Sequence, residues 1–208
     1  MKQKLDIENW ARKEHFNFFK QFEEPHYGVT VSIDCTEAYR FTKQNKISFY
    51  LYSLYNAMKA TYKVESFRYR IEGDDVFIYD QMIAGATVSR ANGTFGYGYM
   101  PYYEQLEHFI AEANKVVEDV QSKTDLGRST MENIIRFSTL PWIDFTSLSH
   151  ARMFSVKHSC PSITFGKMTE QNGKRSMPVS IHVHHALVDG LHLGEYIDSL
   201  QALMNQGA

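Results

Sequence analysis

A run of histidines near the C-terminus contains the residue types that proton transfer requires. An apolar segment alternates with His182 and His184 and is followed directly by a third histidine, His185. Asp189 comes four residues later, next to a glycine, and this pair is typical of a turn. Because successive side chains of a strand point to opposite faces, we expect His182 and His184 on one face and His185 on the other. A histidine at a strand end, with an acid on the following turn, can serve as a positioned base.

The same three histidines raise the alternative of a zinc site. His182 and His184 would provide two ligands on one face, but no cysteine or nearby acid completes the four-ligand shell that zinc prefers. An ordinary structural role, as half-buried histidines, also stays open for these two residues. Two glycine patterns, at residues 96–98 and 166–167, lack the features of a phosphate-binding loop. The sequence therefore favours a general base over metal or phosphate-loop chemistry.

Four segments of the chain together resemble the chloramphenicol acetyltransferase family. Residues 184–190 read His-His-Ala-Leu-Val-Asp-Gly, which is similar to the family's catalytic motif His-His-x-x-x-Asp-Gly. Residues 9–16 resemble its opening segment, residues 140–147 its Pro-Trp…Phe-x-Ser segment, and residues 161–167 the strand before its final hairpin. The motif at 184–190 also occurs in peptide-synthetase condensation domains, and dihydrolipoyl acyltransferases have a related motif. The order and spacing of all four segments are specific to the chloramphenicol acetyltransferase type.

The resemblance implies a role for five residues. His185 is expected to be the general base, and Asp189 is expected to pair with Arg12. Ser147 would steady the developing oxyanion, and Thr164 would hold a water molecule near it. The resemblance also implies acetyl-CoA as the co-substrate, no metal ion, and direct acetyl transfer within a ternary complex.

The acceptor implied by the resemblance is a hydroxylated small molecule, with chloramphenicol as the best single candidate. Phe19 stands where some members have a tyrosine near the antibiotic, and we expect Phe19 and Phe95 to contact the acceptor. Met168 stands where well-known members carry a tyrosine close to the coenzyme, which leaves the coenzyme affinity open. The family resemblance further implies a homotrimer with active sites at the subunit interfaces.

Elementary chemistry supports a histidine base for acyl transfer to an alcohol. An alcohol holds its proton too tightly to attack a thioester unaided at neutral pH, whereas a histidine side chain with a pKa near ~6.5 is largely unprotonated there and accepts that proton. Such a base typically contributes ~10²–10⁴ in rate. The oxyanion then needs a hydrogen-bond donor, and losing one such donor costs roughly 10²–10³ in rate.

Two alternatives stay open beside this interpretation, and a third is poorly supported. The acceptor can be a different hydroxylated small molecule. The chain can also be a non-catalytic trimeric protein that keeps the binding pocket, which the change at Met168 and the glycine and aromatic run at residues 93–99 weakly favour. A third alternative, the catalytic domain of a larger acyltransferase assembly, is disfavoured because no lipoyl-like segment precedes the expected fold.

Periodicity predicts the elements that must position these residues. Alternating or apolar runs predict strands, and the 3.6-residue period predicts helices, with Ser48 as a helix cap. A hairpin turn is expected at Gln171–Lys174. We predict an α/β protein, a two-layer sandwich in which helices pack on a mixed β-sheet, forming a single domain over residues 1–208. The predicted strands cover 27–33, 75–79, 84–88, 94–99, 134–138, 163–165 and 177–184. The predicted helices cover 6–22, a short segment that Asp34 or Thr36 caps and that ends at Gln44, a segment from 48, 102–121 and 193–204.

Composition excludes several other classes of protein. The chain has 208 residues, and its 43% hydrophobic content is enough for a substantial core. A net charge of −2, from 22 basic and 24 acidic residues, gives no basic surface for nucleic acid. No apolar run approaches the ~20 residues that span a bilayer, so no membrane partner is expected. Only two cysteines, Cys35 and Cys160, occur, and the N-terminus lacks signal-peptide features, so a cytoplasmic location is expected.

Overall fold

The computed structural model describes residues 1–206 of the chain. Its strands are β1 (Lys2–Lys4), β2 (His26–Asp34), β3 (Tyr69–Glu72), β4 (Asp75–Tyr79), β5 (Ile83–Ser89), β6 (Phe95–Pro101), β7 (Ile134–Thr139), β8 (Ser162–Phe165), β9 (Thr169–Gln171) and β10 (Lys174–His184). Its helices are α1 (Lys13–Phe19), α2 (Thr36–Gln44), α3 (Phe49–Thr61), α4 (Leu106–Ser122) and α5 (Gly190–Gln206), and a short 3₁₀ helix, Glu65–Arg68, precedes β3. Within this range no helix combines the length and the apolar character needed to cross a membrane.

Seven of the strands form one mixed sheet. Its order is β2-β10-β8-β7-β5-β6, and β9 pairs with the start of β10. Strand β7 runs parallel to both β5 and β8, whereas the other pairs are antiparallel. Strand β10 is paired with β2 on one side and with β8 and β9 on the other, so it lies inside the sheet. The remaining strands form a small sheet of order β1-β4-β3.

The two faces of the seven-stranded sheet differ in chemical character. One face, which we call the helix face, carries the buried side chains of Val179, Ile181 and Val183 and packs against α2, α4 and α5. The opposite face, which we call the polar face, carries side chains that the strand register brings together: Arg136, Ser138, Ser162, Thr164, Ser180, His182 and His184. Helices on one face of a mixed sheet confirm the predicted α/β sandwich.

Helix α4 approaches the edge strand β6 closely because two glycines leave space for it. A Cβ atom at Gly98 would lie 2.8 Å from Cγ1 of Val116, and one at Gly96 would lie 2.8 Å from Cγ1 of Val120. Real Cβ atoms essentially never show contacts this short. The glycine pattern at 96–98 therefore serves helix packing.

Most of the predicted elements are confirmed, and the largest error concerns the N-terminal helix. The predicted helix over 6–22 is wrong in its length, because only Lys13–Phe19 is helical. The Asp6 carboxylate accepts the backbone N–H of Glu8 at 3.1 Å and the side-chain amide of Asn9 at 2.7 Å, and these bonds hold a turn in place of a helix. Strands β1, β3 and β9 are missing from the prediction because short strands carry little periodic signal.

The hairpin and the helix cap are both confirmed. Asn172 and Gly173 connect β9 to β10 with φ angles of 53° and 76°, which is the conformation that a two-residue hairpin favours. Ser48 caps α3, because its side chain accepts the backbone N–H of Leu51 at 3.4 Å. Both signals are local, so the sequence alone is enough to place them.

A buried arginine connects the small sheet to the large one. Arg70 is 0% exposed, and burial lowers its pKa to about 10. Its guanidinium donates to the carbonyl oxygens of Phe67 and Tyr69 at 3.0 and 2.5 Å, and to those of Glu132 and Ile134 at 2.9 and 2.5 Å. One side chain thus satisfies four carbonyl groups from two parts of the chain.

We expect the substitution Arg70→Met to destabilise the fold strongly. Methionine keeps most of the apolar volume but leaves four carbonyl oxygens without a donor, so the free energy of unfolding should fall by about 3–5 kcal/mol in urea titrations. Arg40→Gln is the control, because Arg40 is 58% exposed and its ion pair with Glu37 lies on the surface, where a loss below about 0.5 kcal/mol is expected. Equal losses for the two variants would contradict the role of Arg70.

Candidate functional site

An ion pair holds the turn between β10 and α5. Arg12 pairs with Asp189, and its guanidinium also lies 3.5 Å from the carbonyl oxygen of His185. The side chains of Arg12 and Asp189 are 14% and 31% exposed. Oδ1 of Asp189 accepts the backbone N–H of Leu191 at 3.1 Å, which caps the first turn of α5. These contacts fix the backbone that carries His185.

The Asp189 carboxylate is committed to this turn. Burial opposes its charged form, but the hydrogen bond and charge of Arg12, together with the nearby His192, lower its pKa below the usual value. Nδ1 of His192 lies 2.8 Å from Oδ1 of Asp189. The carboxylate oxygens are therefore engaged by Arg12 and the backbone of Leu191, and they orient the loop rather than the ring of His185.

The imidazole of His185 is held between aromatic rings. It stacks on Phe19 with 3.8 Å between ring centroids and an interplanar angle of 11°, and the ring of Tyr27 lies 4.4 Å away. The backbone N–H of His185 donates to the carbonyl oxygen of Pro25 at 2.8 Å. Its Nδ1 is buried and has no hydrogen-bond partner within residues 1–206. The structure thus brings His185 and Phe19 into direct contact, beside the pair formed by Arg12 and Asp189.

His182 occupies the polar face two residues before the end of β10. A glycine in β2 makes room for its ring, since a Cβ atom at Gly28 would lie 2.5 Å from Nε2 of His182. Nδ1 of His182 lies 3.3 Å from Oγ of Ser180, and the ring makes an edge contact with His150 at 4.8 Å between centroids. The ring also faces the backbone of Leu148, so the segment after β7 is folded over the polar face.

Ser147 and Thr164 both belong to the polar face. Phe145 packs on Gly166, where a Cβ atom would lie 2.8 Å from its ring, and Leu148 lies beside His182. Ser147 stands between these two anchors and is exposed. Thr164 is 1% exposed, and its hydroxyl oxygen has no hydrogen-bond partner in the described part of the chain.

Within one chain, the sheet separates Ser147 and Thr164 from the ring of His185. Tyr27 pairs with Val183, so its side chain lies on the helix face, and the ring of His185 lies against Tyr27. Thr164 pairs with Ser180 and points to the opposite face. The predicted site residues therefore form two groups, one at each face of the sheet.

A cavity of about 550 Å³ lies on the polar face. Phe95 lines it at the far edge of the sheet, is 46% exposed and packs edge-on against Tyr97. His182 lines the cavity at the other end. Phe19 does not line it, because it packs on His185. The two predicted acceptor contacts, Phe19 and Phe95, thus belong to different surfaces of the chain.

Several histidines of the polar face are buried in neutral form. Burial, reinforced by the charge of Arg136, lowers the pKa of His26 to about 4 and that of His158 to about 3. Burial lowers the pKa of His184 to about 3 and that of His182 to about 4. Among residues 1–206, no three side chains of His, Cys, Asp or Glu are grouped so that they could hold a metal ion.

Several residues that shape these two surfaces are absent from the predicted site. Tyr27, which contacts His185, was recognisable only as a strand residue. Arg136 carried a usable signal, because it is a single charge inside the predicted apolar strand at 134–138. His26 and His150 gave no signal, since their positions depend on β-sheet register and on the path of the segment after β7.

Comparison with known proteins gives consistent matches. The family model described as chloramphenicol acetyltransferase matches residues 2–201. Chloramphenicol acetyltransferase 3 of Escherichia coli is 29% identical over 205 residues, which is 97% of this chain and 96% of that protein. Chloramphenicol acetyltransferase of Bacillus pumilus is 29% identical over 200 residues, 95% of this chain and 91% of that protein. A solved structure described as chloramphenicol acetyltransferase superposes with a TM-score of 0.91 at 30% identity, covering 98% of this chain and 100% of that chain.

The buried histidines predict a loss of stability in mild acid. In the unfolded chain these histidines titrate near ~6.5. Between about pH 6.5 and pH 4 they are therefore protonated in the unfolded state but remain neutral in the folded state. The free energy of unfolding is therefore highest above pH 6.5 and falls as the pH is lowered. We expect a lower Tm at pH 5 than at pH 7.5, and the variant His184→Gln should reduce this slope by up to ~1.4 kcal/mol per pH unit. A Tm that is constant or rises towards pH 5 would contradict the assignment.

Proposed function

The chain belongs to the chloramphenicol acetyltransferase family, and from that membership we propose that it transfers the acetyl group of acetyl-CoA to a hydroxyl group of a small acceptor. Chloramphenicol is the first acceptor that we propose, because the matched relatives bear its name. The observation that carries the proposal is the clamped imidazole of His185, held by Phe19 and by the turn that Arg12 and Asp189 fix. The proposed chemistry needs no metal ion.

In the proposed mechanism His185 acts as the general base. It accepts the proton of the acceptor hydroxyl while the oxygen attacks the carbonyl carbon of the thioester. The stacked ring of Phe19 and the tilted ring of Tyr27 keep the imidazole in one orientation during this step. When the tetrahedral intermediate collapses, the C–S bond breaks and the protonated imidazole returns its proton to the leaving thiolate of coenzyme A.

Ser147 and Thr164 serve the oxyanion of that intermediate. The exposed hydroxyl of Ser147 is available to donate a hydrogen bond to it. The buried hydroxyl of Thr164 has no protein partner in the described residues, which suits a residue that holds a water molecule. Transfer is direct, because no serine of the chain has the sequence surroundings of an acyl-enzyme nucleophile.

We further propose that the active form is a homotrimer with a site at each subunit interface. The base and the oxyanion residues lie on opposite faces of one sheet, so His185 of one subunit must meet Ser147 of another. Large apolar side chains on the segment after β7 are exposed, and burial between subunits explains them: Trp142 is 74%, Phe154 72%, Met153 62%, Val156 53% and Ile143 51% exposed. A closed ring of subunits repeats the same heterologous contact.

We retain a single domain and a cytoplasmic location as parts of the proposal. One hydrophobic core includes residues from Phe16 to Met204, which supports a single folding unit. Cys35 and Cys160 are both free and buried, which suits a reducing compartment.

Replacing the base or the oxyanion donor should abolish most of the turnover. His185→Ala should lower kcat by ~10²–10⁴, and Ser147→Ala by ~10²–10³, with little change in KM, in an assay of chloramphenicol-dependent thiol release from acetyl-CoA. His108→Ala is the control, because His108 is an exposed histidine on α4. A His185→Ala variant with the wild-type rate would refute the base. Ligand binding without thiol release in the wild-type protein would instead favour a non-catalytic binding protein.

A further inference from the structure

The cavity on the polar face has a cationic lining. Three arginines and four histidines line it, and no aspartate or glutamate of the described residues does. Within residues 1–206, Arg152 forms an ion pair with Glu24, and neither of the other two arginines has a carboxylate partner. The charges of Arg128 and Arg136 remain uncompensated there. A cavity of this composition attracts negatively charged ligands.

Arg136 occupies the centre of this lining. It lies on β7, which is paired on both sides, and the register places it in one row with Gly85, Ser162 and His182. Its neighbours on the adjacent strands, Gly85 and Ser162, are small and leave the guanidinium open to the cavity. The group contacts Nε2 of His158 at 3.1 Å, and no carboxylate of residues 1–206 lies within ion-pair distance of it. A guanidinium presents a planar set of donors that matches a carboxylate or a phosphate.

Neutral histidines surround this charge and still have unused hydrogen-bonding atoms. The side chain of His26 is only 9% exposed, and its Nε2 has no hydrogen-bond partner within the described residues. Nε2 of His150 is also buried and has no hydrogen-bond partner within the described residues. Burial and the charge of Arg136 lower the pKa of both rings, so both are neutral at pH 7 and can each donate one N–H. Unpaired buried polar atoms of this kind carry a desolvation cost that a ligand can relieve.

The position of Arg136 relative to Thr164 sets the separation expected between the anionic group and the hydroxyl group of a ligand. Thr164 lies on the adjacent strand, and its partner in register, Ser138, is two residues beyond Arg136. One strand spacing and two residues along the strand separate the backbones of Arg136 and Thr164 by about 8 Å. A hydroxyl group about 7–8 Å from an anionic group bound at Arg136 would therefore reach the level of Thr164 in the sheet.

We propose that this cavity is an acceptor site for hydroxylated small molecules that carry a carboxylate or a phosphate, and that Arg136 determines this specificity. The inference rests on the proposed function, because it assigns the acceptor of the same reaction. The bound anion replaces the missing carboxylate partner of Arg136 and accepts hydrogen bonds from the surrounding histidines. A neutral acceptor such as chloramphenicol gains nothing from the guanidinium.

Three matched probes test the specificity. They are 4-(hydroxymethyl)benzoate, 4-(hydroxymethyl)phenyl phosphate and, as the neutral member, methyl 4-(hydroxymethyl)benzoate. The wild-type protein should acetylate at least one anionic probe with a kcat/KM about tenfold or more above that of the methyl ester, and the better anionic probe distinguishes carboxylate from phosphate. Arg136→Gln should remove this preference by lowering kcat/KM for the anionic probes about tenfold or more, with KM for acetyl-CoA within about twofold of the wild-type value.

The control variant is Arg40→Gln, which removes an arginine from the surface of α2 and should keep the preference. Turnover of all three probes at equal kcat/KM by the wild-type protein would overturn the proposal. An Arg136→Gln variant with a raised KM for acetyl-CoA and an unchanged preference would also overturn it, since the cations would then serve the coenzyme's phosphates. If neither these probes nor chloramphenicol are acetylated, the proposed function fails. Calorimetry with 4-(hydroxymethyl)benzoate then tests the cavity alone: binding lost in Arg136→Gln supports the anion site, and no binding to the wild-type protein refutes it.

Discussion

The position of β10 inside the sheet is the constraint on which the rest of the structure depends. The strand pairs with β2 from Ser176 to His184 and with β8 from Val179 to His182. A shift in its register would break both ladders and would move each side chain to the other face of the sheet. Its alternation sends His182 and His184 to the polar face and Val183 to the helix face. The strand ends at His184, and the turn that follows directs the ring of His185 towards the helix face, against Phe19 and Tyr27.

This constraint explains why the predicted site residues lie in two groups. The ion pair of Arg12 and Asp189 can fix only the turn at the end of β10, so it orients His185, the proposed base, and does not reach the polar face. The segment after β7 crosses the polar face, with Phe145 against Gly166 and Leu148 beside His182, and Ser147 lies between these two contacts. Gly28 contributes by leaving room for the ring of His182, against which that segment rests. The two groups lie on opposite faces of the sheet within one chain, and a second subunit is the proposed way to join them.

The sequence was sufficient where a signal is local and insufficient where it depends on distant pairing. Strand β10, the turn at Asn172-Gly173 and the cap at Ser48 each have a signal within a few residues, and the structure has all three. The N-terminal helix was predicted too long because Asp6 forms a side-chain turn that periodicity does not report. The cationic cavity could not be predicted, because Arg136 and His150 come together only through strand order and the path of the segment after β7. Family resemblance named the site residues, but only the fold shows that they belong to two faces.

The most direct test of this account is complementation between two inactive chains. His185→Ala and Ser147→Ala chains, each with a different affinity tag, are produced together, and the oligomers that carry both tags are isolated for the thiol-release assay. Each mixed trimer contains one boundary at which an intact His185 meets an intact Ser147, so we predict about one third of the wild-type activity per trimer. Activity no greater than the mean of the two single variants would show that both residues act within one chain, and it would contradict the two-sided site.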